Sequence, residues 1–198
     1  MTTLDLGVLV SGNGSNLQAI LDAIGNQSLN ARVRLVLSNR PEAFALERAQ
    51  RAGVPALSIP HQGHASREAF DRLLIEALRA HGVEWVVLAG FMRILTPAFL
   101  KAFGGRVLNV HPALLPSFPG VHAVRQALKQ GVKVTGCTVH WVEEGVDSGP
   151  IIAQRAVPVL GGDTEESLAE RIHRAEHELY VQALAELAAG RVPPPREG

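Results

Sequence analysis

The chain has 198 residues, 46% of them apolar, which fits one ordinary domain with enough apolar side chains for a core. Nineteen Lys and Arg balance nineteen Asp and Glu, and this zero formal charge argues against a nucleic-acid or anionic-membrane surface. The lone Cys137 excludes an internal disulfide framework and fits a reducing, cytoplasmic setting; the N-terminus has no basic stretch of the kind that opens a signal peptide, and the longest apolar run, 85–92, is far short of the ~20 residues that span a bilayer.

In chain order, the apolar run 6–10 reads as a buried strand leading into Ser-Gly-Asn-Gly-Ser-Asn, and a helix follows from about Leu17 with Ile20, Leu21 and Ile24 at helical spacing. A second strand is expected over 33–37. Pro41 suits the first position of a helix that Gly53 closes. A weaker strand over 56–59 precedes a helix capped by Ser66, carrying Phe70, Leu74 and Leu78, and ended by Gly82. The strand 85–89 is the most hydrophobic and so belongs at the centre of a parallel sheet. Thr96-Pro97 opens a short helix that stops at Gly104-Gly105; then come a strand ending near His111 and a helix over 122–129.

After Gly131 the alternation of strand and helix breaks. Residues 134–142 alternate and 151–159 are strand-like, so two strands follow without a helix and pair antiparallel around the loop 143–150. Asp163 with Glu166 reads as a capping box for a long helix to about Ala189, with Leu168, Ile172, Ala175 and Leu179 as its apolar stripe. The predicted fold class is α/β: a single-domain, doubly wound, Rossmann-like and mostly parallel sheet with an antiparallel edge and a long C-terminal helix. The domain is expected over 1–190, and 191–198 is a proline-rich tail, extended or disordered.

Chemistry concentrates at the end of the His111 strand. Asn109 and His111 are two apart, so they share a strand face, ~7 Å from each other. Pro112 stops the ladder because it has no N–H to donate. An amide donor and an imidazole are thus aimed together beyond the strand end. That pairing suits acyl transfer, in which an oxyanion needs a donor and a nucleophile's proton needs an acceptor. Spacing alone fits equally a strand end with two satisfied polar residues. Asp147, in the loop 143–150, would favour the imidazolium form of His111 if the fold brought them together; by itself, Asp before Ser-Gly-Pro is ordinary turn chemistry.

Gly12 and Gly14 join the first strand to the first helix. Such a turn lets a backbone approach an anion, and the helix N-terminus offers unpaired N–H groups. The third glycine of the dinucleotide fingerprint is replaced by Leu17, and the second strand ends Ser38-Asn39-Arg40 without the acidic residue that reads a ribose. A single phosphate is expected, not a dinucleotide. His173-Arg-Ala-Glu-His177 matches a zinc-protease pattern, but no third ligand announces itself, so no metal is expected. The stripe of His173, Glu176, His177 and Tyr180 flanks the apolar stripe and suits the edge of a cleft. Cys137 and His140 read as buried strand residues, and His61, His64 and His81 as surface residues.

Taken together, S-G-N-G-S-N-L-Q-A, S-R-E-A-F-D-R, V-L-A-G-F-M-R-I-L, N-V-H-P-A-L-L-P-S-F-P-G, V-T-G-C-T-V-H, D-S-G-P-I-I and A-E-H resemble the phosphoribosylglycinamide formyltransferases, a folate-dependent family of purine synthesis. The resemblance runs from Leu6 to about Gly190. It implies formyl transfer from 10-formyltetrahydrofolate, as co-substrate, to the glycinamide amine of a phosphoribosyl substrate, with small-molecule partners only. It also implies that Asn109, His111 and Asp147 are the catalytic trio, and so replaces the turn reading of Asp147. Gly14, Ser15 and Asn16 match the family's phosphate loop, and Glu176 with His173 its contact to the glycinamide substrate. Met92, Arg93, Ile94 and Leu95 match the wall of the folate pocket, Arg67 a folate-contacting arginine, and Glu143, Glu144, Gly145 and Val146 the loop over the pterin. The proline-rich end departs from the family, which often continues into a further strand or hairpin.

Three alternatives stand beside this reading. A formyltetrahydrofolate deformylase shares the Asn-x-His and Asp pattern but normally carries an extra N-terminal domain, for which this chain has no room. A methionyl-tRNA formyltransferase adds a basic RNA-binding domain. A catalytically dead nucleotide-binding module would not need Asn109, His111 and Asp147 intact. Monomer and homodimer both stay open.

Overall fold

The computed structural model describes residues 2–192; the part of the proline-rich tail beyond them lies outside the described residues. The chain runs β1 (Leu4–Val10), α1 (Ser15–Gly25), β2 (Ala31–Ser38), α2 (Phe44–Arg51), β3 (Ala56–Ser58), α3 (Arg67–Ala80), β4 (Trp85–Leu88), α4 (Pro97–Phe103), β5 (Val107–His111), α5 (Ala123–Gln130), β6 (Val134–Trp141), β7 (Ile151–Pro158) and α6 (Glu165–Ala188). The strands form one sheet in the order β3-β2-β1-β4-β5-β6-β7. Pairing is parallel from β3 to β5 and antiparallel from β5 through β6 to β7. This is the expected doubly wound sheet with an antiparallel edge, and the hydrophobic β4 lies at its centre.

Helices cover both faces of the sheet. On β1, Leu6, Val8 and Val10 point into the cluster that holds Leu168, Ile172 and Leu179 of α6, while Leu9 points into the cluster under α3 and α4. Alternation along a strand sends successive side chains to opposite layers, so both faces become core. Gly7 permits the close approach of α3: a Cβ there would lie 2.5 Å from Leu78 Cδ2. The direction in which strands are added to the sheet reverses between the parallel neighbours β1 and β4, and the loops after both strands lie at this switch point, where open α/β sheets bind ligands.

Several local expectations needed correction. Pro41 does not open α2, which begins three residues later at Phe44. Residues 38–43 are held instead as a turn, with Ser38 Oγ donating to the Arg40 carbonyl and the Ala43 N–H returning to Arg40. The Ala45 N–H then bonds the Gly12 carbonyl, tying α2 to the loop after β1. The capping box of α6 lies one residue later than expected, between Thr164 and Ser167. Asp163 is drawn away from a capping role by a paired bond to Arg171 and by the Leu160 N–H. Burial on β6 does not alternate. Cys137, Val139 and Trp141 face the core, while Thr138 is covered by the loop after β5, donating to the Ala113 carbonyl at 2.7 Å.

Candidate active site

β5 ends at His111, where the antiparallel partner β6 places His140 opposite Asn109 and Thr138 opposite His111. The loop between β6 and β7 folds back so that Asp147 Oδ2 lies 3.3 Å from His111 Nδ1. Asp147 Oδ1 lies 3.6 Å from His140 Nε2, and Oδ2 accepts the Gly120 N–H at 2.7 Å. Burial alone pushes the Asp147 carboxyl up. The Gly120 N–H and, in their protonated forms, the His140 contact and the two imidazoles outweigh it and hold the group below the usual carboxylate range. Asp147 takes a left-handed backbone, φ 50°, an uncommon conformation for a residue with a Cβ.

His111 is buried, and its other ring nitrogen, Nε2, faces the Phe118 carbonyl at 2.7 Å. Both ring nitrogens therefore lie against oxygen acceptors, an arrangement that suits the imidazolium, which donates from both. The trio expected from the sequence is assembled in one place. His140, expected to be an ordinary strand residue, belongs to the same cluster: Asn109 Nδ2 lies 3.3 Å from its Nε2. Register decides this. His140 pairs across the sheet with Asn109, and the sequence carries no direct signal of which residue that partner is.

These side chains line a cleft of about 770 Å³ with Met92, Arg93, Ile94 and Leu95 along one wall and Glu143, Gly145 and Val146 along another. Glu144 is not among the lining residues; its carbonyl accepts from Ser148 Oγ at the loop's exterior. Met92 and Ile94 are exposed, so this wall presents apolar side chains to a ligand. α3 sets the wall. Arg67 donates to the Ile94 carbonyl at 2.8 Å, and Asp71, one turn later on the same helix face, accepts from the Thr96 N–H and hydroxyl at 2.7 Å each. Asp71 went unremarked in the sequence; its spacing of four from Arg67 was legible there, but its burial was not.

A second group of residues sits at the start of α1. Gly14 has φ 78°, and a Cβ on it would lie 2.5 Å from Ala45 Cβ, so both conformation and close packing require glycine. Arg48 braces the loop through the Asn13 carbonyl and side chain, 2.8 Å each. Asn16 Nδ2 reaches Glu176 Oε2 at 3.2 Å across 160 residues of sequence, and Asn16 Oδ1 is buried without a partner. Glu176 is 4% exposed; burial pushes its carboxyl up to about 7, against the lowering effect of Asn16. α6 is fixed at this point by Tyr180, whose hydroxyl sits between the carbonyls of Leu88 and Leu108 at the ends of β4 and β5.

The expected cleft-edge stripe on α6 is thereby split. Tyr180 is fully buried core, Glu176 is buried against α1, His177 is half-buried and His173 is exposed. Burial, with the charges of His173 and Arg48, holds His177 below its ordinary value. Ser11 joins the two groups of residues: its N–H donates to the Gly90 carbonyl at 3.1 Å, and the Met92 N–H donates to its Oγ at 2.8 Å.

Residues 5–184 match the family model described as formyl transferase. The chain belongs to the formyl transferase family. It is 46% identical over 189 residues to a phosphoribosylglycinamide formyltransferase of Escherichia coli, covering 96% of this chain and 89% of that one. It is 51% identical over 187 residues to the trifunctional purine biosynthetic protein adenosine-3 of Drosophila melanogaster, covering 93% of this chain but only 14% of that protein. The crystal structure of glycinamide ribonucleotide transformylase 1 from Symbiobacterium toebii superposes with a TM-score of 0.95 at 53% identity, covering 98% of this chain and 91% of that one.

Proposed function

We propose that this chain transfers the formyl group of 10-formyltetrahydrofolate to the glycinamide amine of 5'-phosphoribosylglycinamide, within purine synthesis in the cytoplasm. The observation that carries the reading is the convergence of Asn109, His111 and Asp147 at the mouth of a folate-sized cleft. The Gly14, Ser15 and Asn16 turn supports the ribonucleotide half. It offers the N-terminal N–H groups of α1 to a phosphate, with Glu176 beside it and His173 one turn earlier on α6. Met92, Arg93, Ile94 and Leu95, with Glu143, Gly145 and Val146 opposite, support the folate half; Arg67 lies outside the cleft lining and holds the Ile94 carbonyl.

The chemistry follows from the groups present. The neutral amine attacks the formyl carbon, and its carbonyl oxygen becomes an oxyanion. Asn109 donates to that oxygen, and the His111 ring, held between the Asp147 carboxylate and the Phe118 carbonyl, stabilises it when it carries a proton. The attacking nitrogen loses a proton and folate N10 gains one, with His111 as the carrier. The C–N10 bond then breaks and the carbonyl re-forms. Side chains supply every donor and proton carrier in this scheme.

Incubation with 10-formyltetrahydrofolate, with and without the ribonucleotide, tests the reading. Release of tetrahydrofolate is expected only when the ribonucleotide is present. Equal release without it would make the chain a deformylase, an outcome disfavoured by the names of the relatives above. No release under either condition would leave a binding module.

A further inference from the structure

We propose that His140 is a positioning residue that acts through Asn109: its Nε2 lone pair accepts one amide N–H of Asn109 and leaves the other aimed into the cleft. The inference rests on the reading of Asn109 as the oxyanion donor. Three observations carry it. His140 Nδ1 lies 2.8 Å from the Trp141 carbonyl, an acceptor only, so the Nδ1 proton is fixed there. The other nitrogen, Nε2, lies 3.3 Å from Asn109 Nδ2, which donates and cannot accept. Two N–H groups cannot face each other, so this contact requires the neutral ring with its lone pair on Nε2. The residue is 2% exposed and sits on a fully buried stretch of β6, and the Trp141 bond fixes the orientation of the ring.

An amide has two faces, and nothing in the sequence tells oxygen from nitrogen. Turned over, Asn109 would offer its carbonyl oxygen to the developing oxyanion and repel it. The Nε2 lone pair removes that alternative, because the turned amide would set oxygen against a lone pair. The titratable groups facing His140 are Asp147, from the loop after β6, and His111, from β5. A proton on Nε2 would turn the ring's interaction from Asn109 to Asp147 Oδ1, now at 3.6 Å. It would free the amide and draw on the carboxylate that serves His111. One protonation would thus disorder two parts of the catalytic group.

The test combines spectroscopy with kinetics. In the intact enzyme at pH 7.5, the 15N shifts of His140 should show a protonated Nδ1 and an unprotonated Nε2. An Nε2-protonated ring would overturn the proposal whatever the kinetics. His140→Leu removes the acceptor and should lower kcat ~10- to 100-fold, the scale of a misplaced catalytic group, with KM for both substrates little changed. His140→Gln places an acceptor where Nε2 was and should recover most of that loss; His140→Asn is too short and should not. Adding His140→Leu to Asn109→Ala should cost less than about threefold more, because the residue it orients is gone. Equal losses in the Leu and Gln variants, or full additivity with Asn109→Ala, would overturn the proposal. If Asn109→Ala itself left turnover intact, the assignment of Asn109 would fail instead. Should His140→Leu not fold, the 15N measurement and the Gln variant still decide.

Discussion

Glu176 carries an ionisable proton in a place that disfavours charge. Burial pushes its carboxyl from the ordinary 4.5 up to about 7 in the folded chain, outweighing its bond from Asn16. An acid with a raised folded pKa favours the folded state fully below its unfolded value and loses that advantage as pH rises through its folded value. Stability should therefore fall between about pH 4.5 and 7, with a contribution from this group of about 3 kcal/mol. Glu176→Gln should flatten that fall and leave the variant more stable than the parent at pH 8. Chemical denaturation at pH 5 and pH 8 checks it, and equal stability differences at the two values would refute the assignment. Asp147 has the opposite sign. Its lowered pKa stabilises the fold above the ordinary carboxylate range, and the gain is lost only as pH falls below that range. Asp147→Asn retains size and the Gly120 bond while removing the charge beside His111. We expect kcat to fall ~10²-fold or more, the usual scale for an acid–base group, with KM for the ribonucleotide nearly unchanged. A comparable rise in that KM would instead make Asp147 a binding residue.

At the scale of elements, the loop that carries Asp147 is held by its close approach to β6. A Cβ on Gly149 would lie 1.9 Å from the Trp141 carbonyl oxygen, a backbone atom that has no flexible end to move. Gly149→Ala should push the loop outward and carry Asp147, two residues earlier, away from His111. A loss of kcat approaching that of Asp147→Asn is expected. Wild-type turnover in this variant would show that the loop adapts. α3 and α6 play the complementary part. Arg67 and Asp71 fix the wall of the cleft from one side, and Tyr180 pins α6 beneath the ends of β4 and β5 from the other. Each helix thereby couples ordinary amphipathic packing to the placement of a functional group.

At the scale of the whole molecule, the sheet brings its switch point, the end of β5 and the antiparallel edge loop to one side. The turn at Gly14 and the Met92–Leu95 wall both follow strands that end on that side, and Ser11 bonds the two segments together. No helix among the described residues is long and apolar enough to cross a membrane. His173 and His177 do not join a third ligand: among the described residues no group of three or more His, Cys, Asp or Glu is arranged to hold a metal ion. Because the proposed steps draw on side chains alone, dialysis against a chelator should leave formyl transfer unchanged. Activity lost on dialysis and restored by zinc would contradict the scheme.

Periodicity and punctuation in the sequence determined the element order, the doubly wound class and the change to antiparallel pairing after Gly131, because those features depend on neighbours a few residues apart. The caps at Ser66 and Thr96 were legible for the same reason, since their bonds close within three residues. Where two capping choices lay side by side, at Asp163 and Thr164, the distant Arg171 broke the tie and local reading missed it. Asn109 and His111 were legible as a pair because a strand fixes their spacing. Asp147 was singled out by resemblance, since its own neighbourhood reads as a turn. His140 opposite Asn109, Asn16 against Glu176 and Tyr180 beneath β4 and β5 were decided only by the tertiary structure. Those contacts join residues 31 to 160 positions apart, and they exist because sheet register and helix packing, set by burial of the whole core, leave those side chains no other place to go.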